Sequence, residues 1–527
     1  MPPGVDPRQP GREGATLRRM CRRLLRLSMV FLALVAACSD VSAPDSPSGL
    51  SFLHAEPDPV DGGRIVDERG REVLLRGVNV NAFVEYWSGN DFPTVFPFSE
   101  SDARRMAEIG WNAVRLLLSW SLVEPEPGVY DEAYIDRIDD AVRILARHGL
   151  YSIIDLHQDA WGATLAARPD EACGPAETPA LGWDGAPAWA TFDEDRPRCY
   201  IAGVRETSPA VTASWDAFFA DREGPGGVGI RTRYVRMLRH LAERFANRPE
   251  VAGYDIINEP NAFTGPTLDG LAALYADAIA AIRAGERAGG GPSHLVLFEP
   301  SSLWSAVGQG APPDFARDDD VVYAPHIYTG GFDGGPITGS AFQVAVDEAA
   351  GFGGAPVLTG EWGANPDRAG SGGDGYFLDH QRLQDEFHVS ATLWTWRESC
   401  GDPHKVVDAR NGADPPVPWG EFDVDCYTNE ILGERELLTN DLTRAYPRAA
   451  PGRLQTTEYD PTTGRLEVVG SDAAEGQELV VFYPAAKHGA PTVRVTGLDD
   501  VRTNEAPGGA VYITARTLGS SWILRVE

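Results

Sequence analysis

The chain has 527 residues, 43% of them hydrophobic, with 13 Trp and 57 Gly. That length and balance exclude a disordered or fibrous protein and allow a large core. A net charge of −31 excludes nucleic acid and anionic membrane surfaces as electrostatic partners.

In chain order, residues 1–37 read as an export signal. Arg18, Arg19, Arg22, Arg23 and Arg26 precede the apolar run "LSMVFLALVAA" and then Cys38. The run is too short to span a bilayer comfortably. "VAAC" resembles a bacterial lipobox, in which the Cys becomes the lipidated first residue; ordinary cleavage after Ala37 is the alternative. Residues 38–62, beginning with the Ser- and Pro-rich "SDVSAPDSPSGL", read as a tether. Loss of residues 1–37 removes seven Arg and two acids and takes the net charge from −31 to −36. Membrane attachment is therefore expected through the lipid rather than through a basic patch.

Residues 63–450 alternate short apolar runs with helix-length amphipathic segments. The eight runs are "EVLLRGVNV", "AVRLLLSW", "YSIIDLH", "VAGYDIINEP", "HLVLFEP", "VVYAPHIY", "PVLTGEWG" and "ATLWTWR". Helices are expected at 131–149, 228–246, 267–284, 341–351 and 376–388. This pattern predicts an α/β fold, a (β/α)8 TIM barrel. The connection 158–226 is long, rich in Pro, Gly and Asp, and such loops usually carry function. From 451 to 527 the runs are short and alternating, without helices, which predicts a C-terminal β-sandwich.

Cys21 falls in the signal and Cys38 at the processing site, leaving Cys173, Cys199, Cys400 and Cys426. Four cysteines allow three connectivities. Pairing of 173 with 199 and of 400 with 426 is expected, because each pair staples one local polar segment and the chain is exported. No CxxC or HExxH spacing occurs, so no metal centre and no cofactor are expected.

In a barrel of this kind the chemistry sits where strands end. The polar and aromatic residues there are Arg115, His157, Asp159, Asn258, Glu259, His326, Tyr328, Glu361 and Trp396. Glu259 and Glu361, ending the fourth and seventh strands, face each other across the mouth, which is the equipment of glycoside hydrolysis. Arg115 is expected to keep Glu361 ionised, while Glu259, beside a negative neighbour in a partly dry cleft, is expected to hold its proton.

"IINEP", "GEWG", "NAVRLLLSW" and "PHIY" resemble the catalytic strands of glycoside hydrolase family 5, the large retaining clan of (β/α)8 barrels. "DLHQDAW", "GAPAWA" and "AYPRAAPG" narrow the resemblance to the endoglycoceramidase-like branch, from about residue 63 to the end. The resemblance implies that Glu259 is the acid/base, Glu361 the nucleophile and Asn258 the donor to the sugar 2-hydroxyl. It also implies that His326 and Tyr328 orient the nucleophile, that His157 and Asp159 line the sugar subsite, and that Trp396 is its stacking floor. The family's glycan-holding Lys after the first strand is absent: "NVNAFVEYW" has Glu85 near that place, and the chain contains only Lys405 and Lys487.

Other residues have plainer readings. Glu299 in "LFEP" reads as a structural carboxylate, and Arg76 as the partner of barrel carboxylates from below. In "VTASWDAFF", Trp215, Phe218 and Phe219 could form an apolar wall for a lipid or a helix packed on the barrel. The activity expected is that of a retaining β-glycosidase cutting between sugar and lipid in glycosphingolipid-like substrates. The alternatives are an endo-β-glucanase or mannanase, and a non-catalytic glycan-binding lipoprotein; no G-x-S-x-G motif supports a serine hydrolase.

Overall fold

A computed structural model describes residues 49–527 apart from Ser88, Ala202 and Ser371. The expected export signal, Cys38 and the first part of the tether lie outside the described residues. Among the described residues, no helix is long and apolar enough to cross a membrane.

Each of the eight apolar runs contributes a barrel strand. They are β1 (Arg76–Phe83), β2 (Ala113–Ser119), β3 (Tyr151–His157), β4 (Val251–Asp255), β5 (Leu295–Phe298), β6 (Val321–Tyr323), β7 (Leu358–Trp362) and β8 (Ser390–Leu393). Their hydrogen-bonded order is β6-β5-β4-β3-β2-β1-β8-β7, and every pairing is parallel. A further parallel bridge between Tyr323 and Val357 joins β6 to the start of β7 and nearly closes the ring. Both faces of these strands are buried, which is why they read as almost continuous apolar runs. Val114, Leu116 and Ile154 point outward into the core shared with the helices, while their neighbours Arg115 and Asp155 point inward.

The expected helices form at Glu132–Arg147, Ile230–Phe245, Gly265–Gly289, Gly339–Gly351 and Tyr376–Glu386. Asp131 starts the first of these by accepting the N–H of Tyr134, as a good N-cap does. A helix at Glu100–Ile109 was not expected from the pattern; it buries a short stripe of Ala103, Met106, Ala107 and Ile109.

The N-terminal end of the barrel is plugged. Leu53–Glu56 and Arg64–Asp67 form an antiparallel hairpin whose Leu53, Ala55 and Ile65 share a buried cluster with Ile153, Leu297, Val322 and Leu358 of the barrel interior. The tether expected to run to residue 62 thus contains a strand, because Leu53 and Ala55 find an apolar surface to cover. The hairpin leads through Arg71–Glu72 to Tyr446–Pro451, the strand that opens the C-terminal sandwich. One sheet of the sandwich therefore mixes both ends of the described chain: Leu53–Glu56, Arg64–Asp67, Arg71–Glu72, Tyr446–Pro451, Glu478–Tyr483, Val511–Thr517 and Leu498–Glu505. The facing four-stranded sheet shares its core through Val468, Leu479, Val481, Ile513 and Leu524. Boundaries expected at 62/63 and 450/451 fall within this sheet system, not between separate bodies. Gly110, at φ 103°, seats the module on the barrel: a Cβ there would lie 2.3 Å from the Phe482 ring.

Glu72 sits at that seam, its carboxylate accepting the N–H of Leu454 at 2.8 Å. Burial pushes its carboxyl from 4.5 up to about 7. The folded protein thus retains a proton that the unfolded chain has lost, so this group's stabilising contribution is complete below pH 4.5 and lost as pH rises through about 7. Glu72→Gln should therefore gain about 3 kcal/mol relative to the parent between pH 4.5 and pH 8. Denaturant unfolding at both pH values measures the change.

Candidate active site

The inside of the barrel is organised by one guanidinium. Arg115, on β2, is 0% exposed. Its Nε donates to Asp255 Oδ2 at 2.9 Å and its Nη1 to Glu361 Oε1 at 2.9 Å. Its Nη2 meets Asp155 Oδ1, Glu299 Oε1 and Asn258 Oδ1 at 3.0, 3.0 and 2.9 Å. Buried charge survives only when paired and hydrogen-bonded, and here one cation answers four carboxylates. Gly360 leaves the room: a Cβ there would lie 2.8 Å from His326 Nε2 and 3.7 Å from Arg115 Nε. The pairing register of β7 with β8 shifts between Thr359 and Trp362, the stretch that carries Glu361.

Glu259 follows β4 with φ 37°, a conformation an L-residue seldom takes. Its surroundings hold it there. Its N–H donates to Glu299 Oε2 at 2.8 Å, and Gln158 Nε2 donates to the carbonyls of Asn258 and Glu259 at 2.6 and 3.0 Å. Glu299 is thus the structural carboxylate expected, and it reaches Arg115, His326 and the backbone of Glu259.

Above this floor, His326 Nδ1 contacts Glu259 Oε1 at 2.9 Å and Glu361 Oε2 at 3.6 Å, while its Nε2 faces Glu299 Oε1 at 3.1 Å. The Tyr328 hydroxyl donates to Glu361 Oε2 at 2.9 Å. A carboxylate oxygen of Glu259, one of Glu361 and a ring nitrogen of His326 all lie within 4.8 Å of one another. That is the short spacing of retaining glycosidases, about 5 Å, rather than the 6.5–9.5 Å or so that leaves room for a water in inverting ones.

Residues 66–399 match the pattern of the cellulases, glycosyl hydrolase family 5. The chain belongs to glycosyl hydrolase family 5. It is 30% identical to endoglycoceramidase I of Rhodococcus hoagii (strain 103S) over 285 residues, 51% of this chain and 52% of that one. It thus spans about half the length of the curated relatives it matches. A solved endogalactoceramidase is 34% identical, covering 91% of this chain and 100% of its own, with a TM-score of 0.79. Endo-glycoceramidase II from Rhodococcus sp., solved as a lactosyl-enzyme intermediate, is 25% identical over 88% of this chain and 98% of its own, with a TM-score of 0.66.

The expected family 5 residues converge, with two corrections. First, the proton is divided differently in the free site. Burial raises the Glu361 carboxyl, and His326 and Arg115 do not fully offset it, since Arg115 is shared among four acids. Burial also works against the charge on Glu259, but the hydrogen bond and charge of His326 together with Arg205 outweigh it and hold Glu259 below the usual range. His326 itself titrates well above its ordinary range: burial opposes its charge, but Glu299, Glu361 and Glu259 prevail. The two carboxyl groups titrate as one unit.

Second, Trp396 is not in the site. Its ring packs against Trp111 at 6.0 Å and Phe422 at 5.0 Å in the core between barrel and helices. Trp394, the first residue past β8, is the site ring: it stacks on His157 at 5.7 Å and clusters with Tyr86 and Tyr328. Of the two readings of "VTASWDAFF", helix packing is the one observed: Trp215, Phe218 and Phe219 are buried against Trp161, Trp120 and Tyr234. Arg76 pairs with Asp385 of the helix Tyr376–Glu386 at 3.0 Å, the barrel-carboxylate partner expected for it.

Sequence reasoning missed the residues brought in by two long loops. The disulfides Cys173–Cys199 and Cys400–Cys426 form as expected, one in the β3–β4 loop and one after β8. The loops meet where Arg205 Nη1 contacts His404 Nε2 at 3.0 Å; the Arg205 guanidinium lies 4.2 Å over Trp183 and also pairs with Asp159. Beneath them His157 Nδ1 bonds Asp155 Oδ2 at 2.8 Å. His157 Nε2 faces Asp159 Oδ2 at 3.5 Å, Asp184 Oδ1 is buried without a hydrogen-bond partner, and one ring-nitrogen or carboxylate-oxygen atom from each of these three residues lies within 4.8 Å of the others. Burial opposes charge throughout this cluster. Asp155 nonetheless drives His157 well above the ordinary imidazole range, while Arg205 and His157 hold Asp159 well below the carboxylate range. Burial pushes Asp184 up to about 7. The cluster is already balanced by cations, so it has the character of a hydroxyl-binding pocket rather than a metal centre. Glu85 is exposed at the rim and accepts from Ser121 Oγ at 2.7 Å.

The two tryptophans give a direct check. Trp394→Phe should weaken binding of an iminosugar glycosidase inhibitor roughly tenfold, or about 1.4 kcal/mol, by calorimetry. Trp396→Phe should leave that affinity unchanged and lower unfolding stability by roughly 1–3 kcal/mol.

Proposed function

We propose that this protein is a retaining β-glycosidase that cuts the bond between sugar and lipid in glycosphingolipid-like substrates. The observation that carries the reading is the Glu259–Glu361 pair within 4.8 Å around His326, set beside an apolar rim on the Glu259 side. Phe263, Leu303 and Val307 are 43%, 42% and 56% exposed. Their loops are joined by Ser302 N–H donating to the Pro260 carbonyl at 3.0 Å, and Ser305 Oγ approaches Glu259 Oε1 at 3.5 Å. Phe332, 67% exposed, stacks on Tyr328 at 4.5 Å and on Trp419 at 5.7 Å. A leaving group departs on the acid's side, and hydrocarbon there gains roughly 25 cal/mol per Å² buried. The similarity to the Rhodococcus endoglycoceramidases and to the endogalactoceramidase supports the same reading.

In this mechanism Glu259 gives its proton to the glycosidic oxygen while Glu361 attacks the anomeric carbon, forming a glycosyl ester and releasing the lipid alcohol. Glu259 then takes a proton from water as it opens the ester, with net retention. Arg115 and Tyr328 hold Glu361, Asn258 faces the 2-hydroxyl, and His157, Asp159 and Trp394 receive the glycone. Bound substrate selects the productive proton arrangement, because the glycosidic oxygen hydrogen-bonds to a protonated Glu259 and the electron-poor anomeric carbon favours an ionised Glu361. The carboxylate of Glu85, exposed at the rim, favours a short neutral sugar over a sialylated chain.

Glu361→Gln should abolish turnover with the fold intact. Glu259→Gln should cost roughly 100- to 10,000-fold on a glycolipid and far less on a dinitrophenyl glycoside, whose leaving group needs no proton. NMR of the first product should show retained anomeric configuration. The highest kcat/KM is expected on a neutral monoglycosylceramide, above a sialylated glycolipid and a soluble β-glucan; a preference for the glucan would replace this reading with the polysaccharide-cutting one.

The exported protein is further proposed to begin at a lipidated Cys38 and to be held at a membrane by that lipid, as the lipobox-like "VAAC" supports. Cys38→Ser should move it from the membrane fraction to the soluble fraction or leave it unprocessed.

A further inference from the structure

We propose that Arg205, in the disulfide-held loop between β3 and β4, is a positioning residue for proton transfer: its guanidinium, 3.6 Å from Glu259 Oε2, governs when Glu259 holds its proton. The inference rests on the glycosidase reading above and goes beyond it, because two carboxylates alone suffice for the chemistry and Arg205 touches neither reacting bond.

The side chain is held on every side. Nε pairs with Glu206 Oε1 at 2.7 Å, Nη1 contacts His404 Nε2 at 3.0 Å, Nη2 bonds Asp159 Oδ1, and the plane lies 4.2 Å over Trp183. The turn Arg205–Thr207 is fixed in its own right. Ile201 N–H donates to Thr207 Oγ1 at 3.0 Å, and Ile201 bridges Val204. Ile201 ends the short strand Cys199–Ile201, which pairs with Glu177–Pro179 and begins at the Cys173–Cys199 disulfide. From the other side, Asn261 Nδ2 reaches the Glu206 carbonyl at 3.4 Å. The path therefore runs from covalent staple to strand, turn and guanidinium, and ends at a carboxylate.

The charged groups facing Glu259 are few. They are His326 from the segment after β6, Arg205 from the β3–β4 loop, Asp159 just past β3 and Glu361 from β7, with Glu299, the residue after β5, on its N–H. His326 touches both carboxylates and so favours ionisation of both. Arg205 reaches Glu259 alone and also neutralises Asp159, whose charge would otherwise push the Glu259 carboxyl up. Removing the guanidinium therefore acts twice in one direction, and the proton stays on Glu259 to higher pH.

The test compares pH profiles of kcat/KM for the full-length parent, Arg205→Gln and Arg205→Lys on two substrates: a glycosylceramide and a 2,4-dinitrophenyl β-glycoside of the same sugar. The basic limb for the glycosylceramide, which reports loss of the proton that the two carboxyl groups share in the free enzyme, should move to higher pH in Arg205→Gln. It should return toward the parent in Arg205→Lys. The dinitrophenyl profile, which does not depend on that proton, should show no such shift on its basic side in either variant. Equal loss on both substrates at every pH, with the glycosylceramide limb unmoved, would overturn the proposal and leave Arg205 as a loop tie. A parent inactive on both glycosides would overturn the glycosidase reading and this proposal with it, a result distinct from an unmoved limb.

Discussion

Everything in the site leans on the burial of Arg115. A guanidinium with no exposure must be surrounded by acceptors, and Asp155, Asp255, Glu299 and Glu361 supply them from four different strands. Breaking such a group leaves an uncompensated buried charge, which costs several kcal/mol. The barrel's strands are therefore tied to one another by polar contacts inside as well as by the backbone ladder, and those contacts fix where Glu259 and Glu361 stand. The cost is that a cation shared four ways does little for any one carboxylate. That is why Glu361 is not held ionised by Arg115 alone, and why His326, between Glu259, Glu299 and Glu361, carries so much of the electrostatic balance.

The two ends of the barrel have opposite characters for a simple reason. The N-terminal hairpin fills the bottom with Leu53, Ala55 and Ile65, so water and ligands are kept from that end and the polar interior opens only at the strand C-termini. There, two loops stapled by disulfides lean together at Arg205 and His404. The glycone side is thereby roofed by charged and aromatic groups, while the Glu259 side is bordered by exposed Phe263, Leu303 and Val307. A cleft that is polar at one end and apolar at the other is what the proposed reading requires, since the bond it would cleave lies at the junction of a polar and an apolar half.

The C-terminal sandwich is anchored on the barrel through shared strands and side chains. Its first sheet takes strands from both ends of the described chain, and Tyr446 donates its hydroxyl to the Gly110 carbonyl at 2.8 Å. The helix Glu100–Ile109 is held there at its C-terminal end. The module thus braces the outer layer of the barrel on the side away from the mouth.

Local periodicity determined much of this. The eight barrel strands, five of the helices and the two local disulfides follow from short-range pattern, because a strand buried on both faces must be apolar throughout and a loop-stapling pair is close in sequence. Glu259, Glu361, Arg115, His326 and Tyr328 were legible for the same reason: each stands at or within a strand whose end the pattern marks. Tertiary structure decided the rest. Trp394 and Trp396 are two residues apart in sequence, and only the path of the chain after β8 sends one to His157 and the other to Trp111. Arg205 and His404 are 199 residues apart and carry no periodic signal, so their meeting depends on how two irregular loops fold over the mouth. The proton balance between Glu259 and Glu361 is also a tertiary property, since it is set by which buried cations face each carboxylate and by how many acids share them.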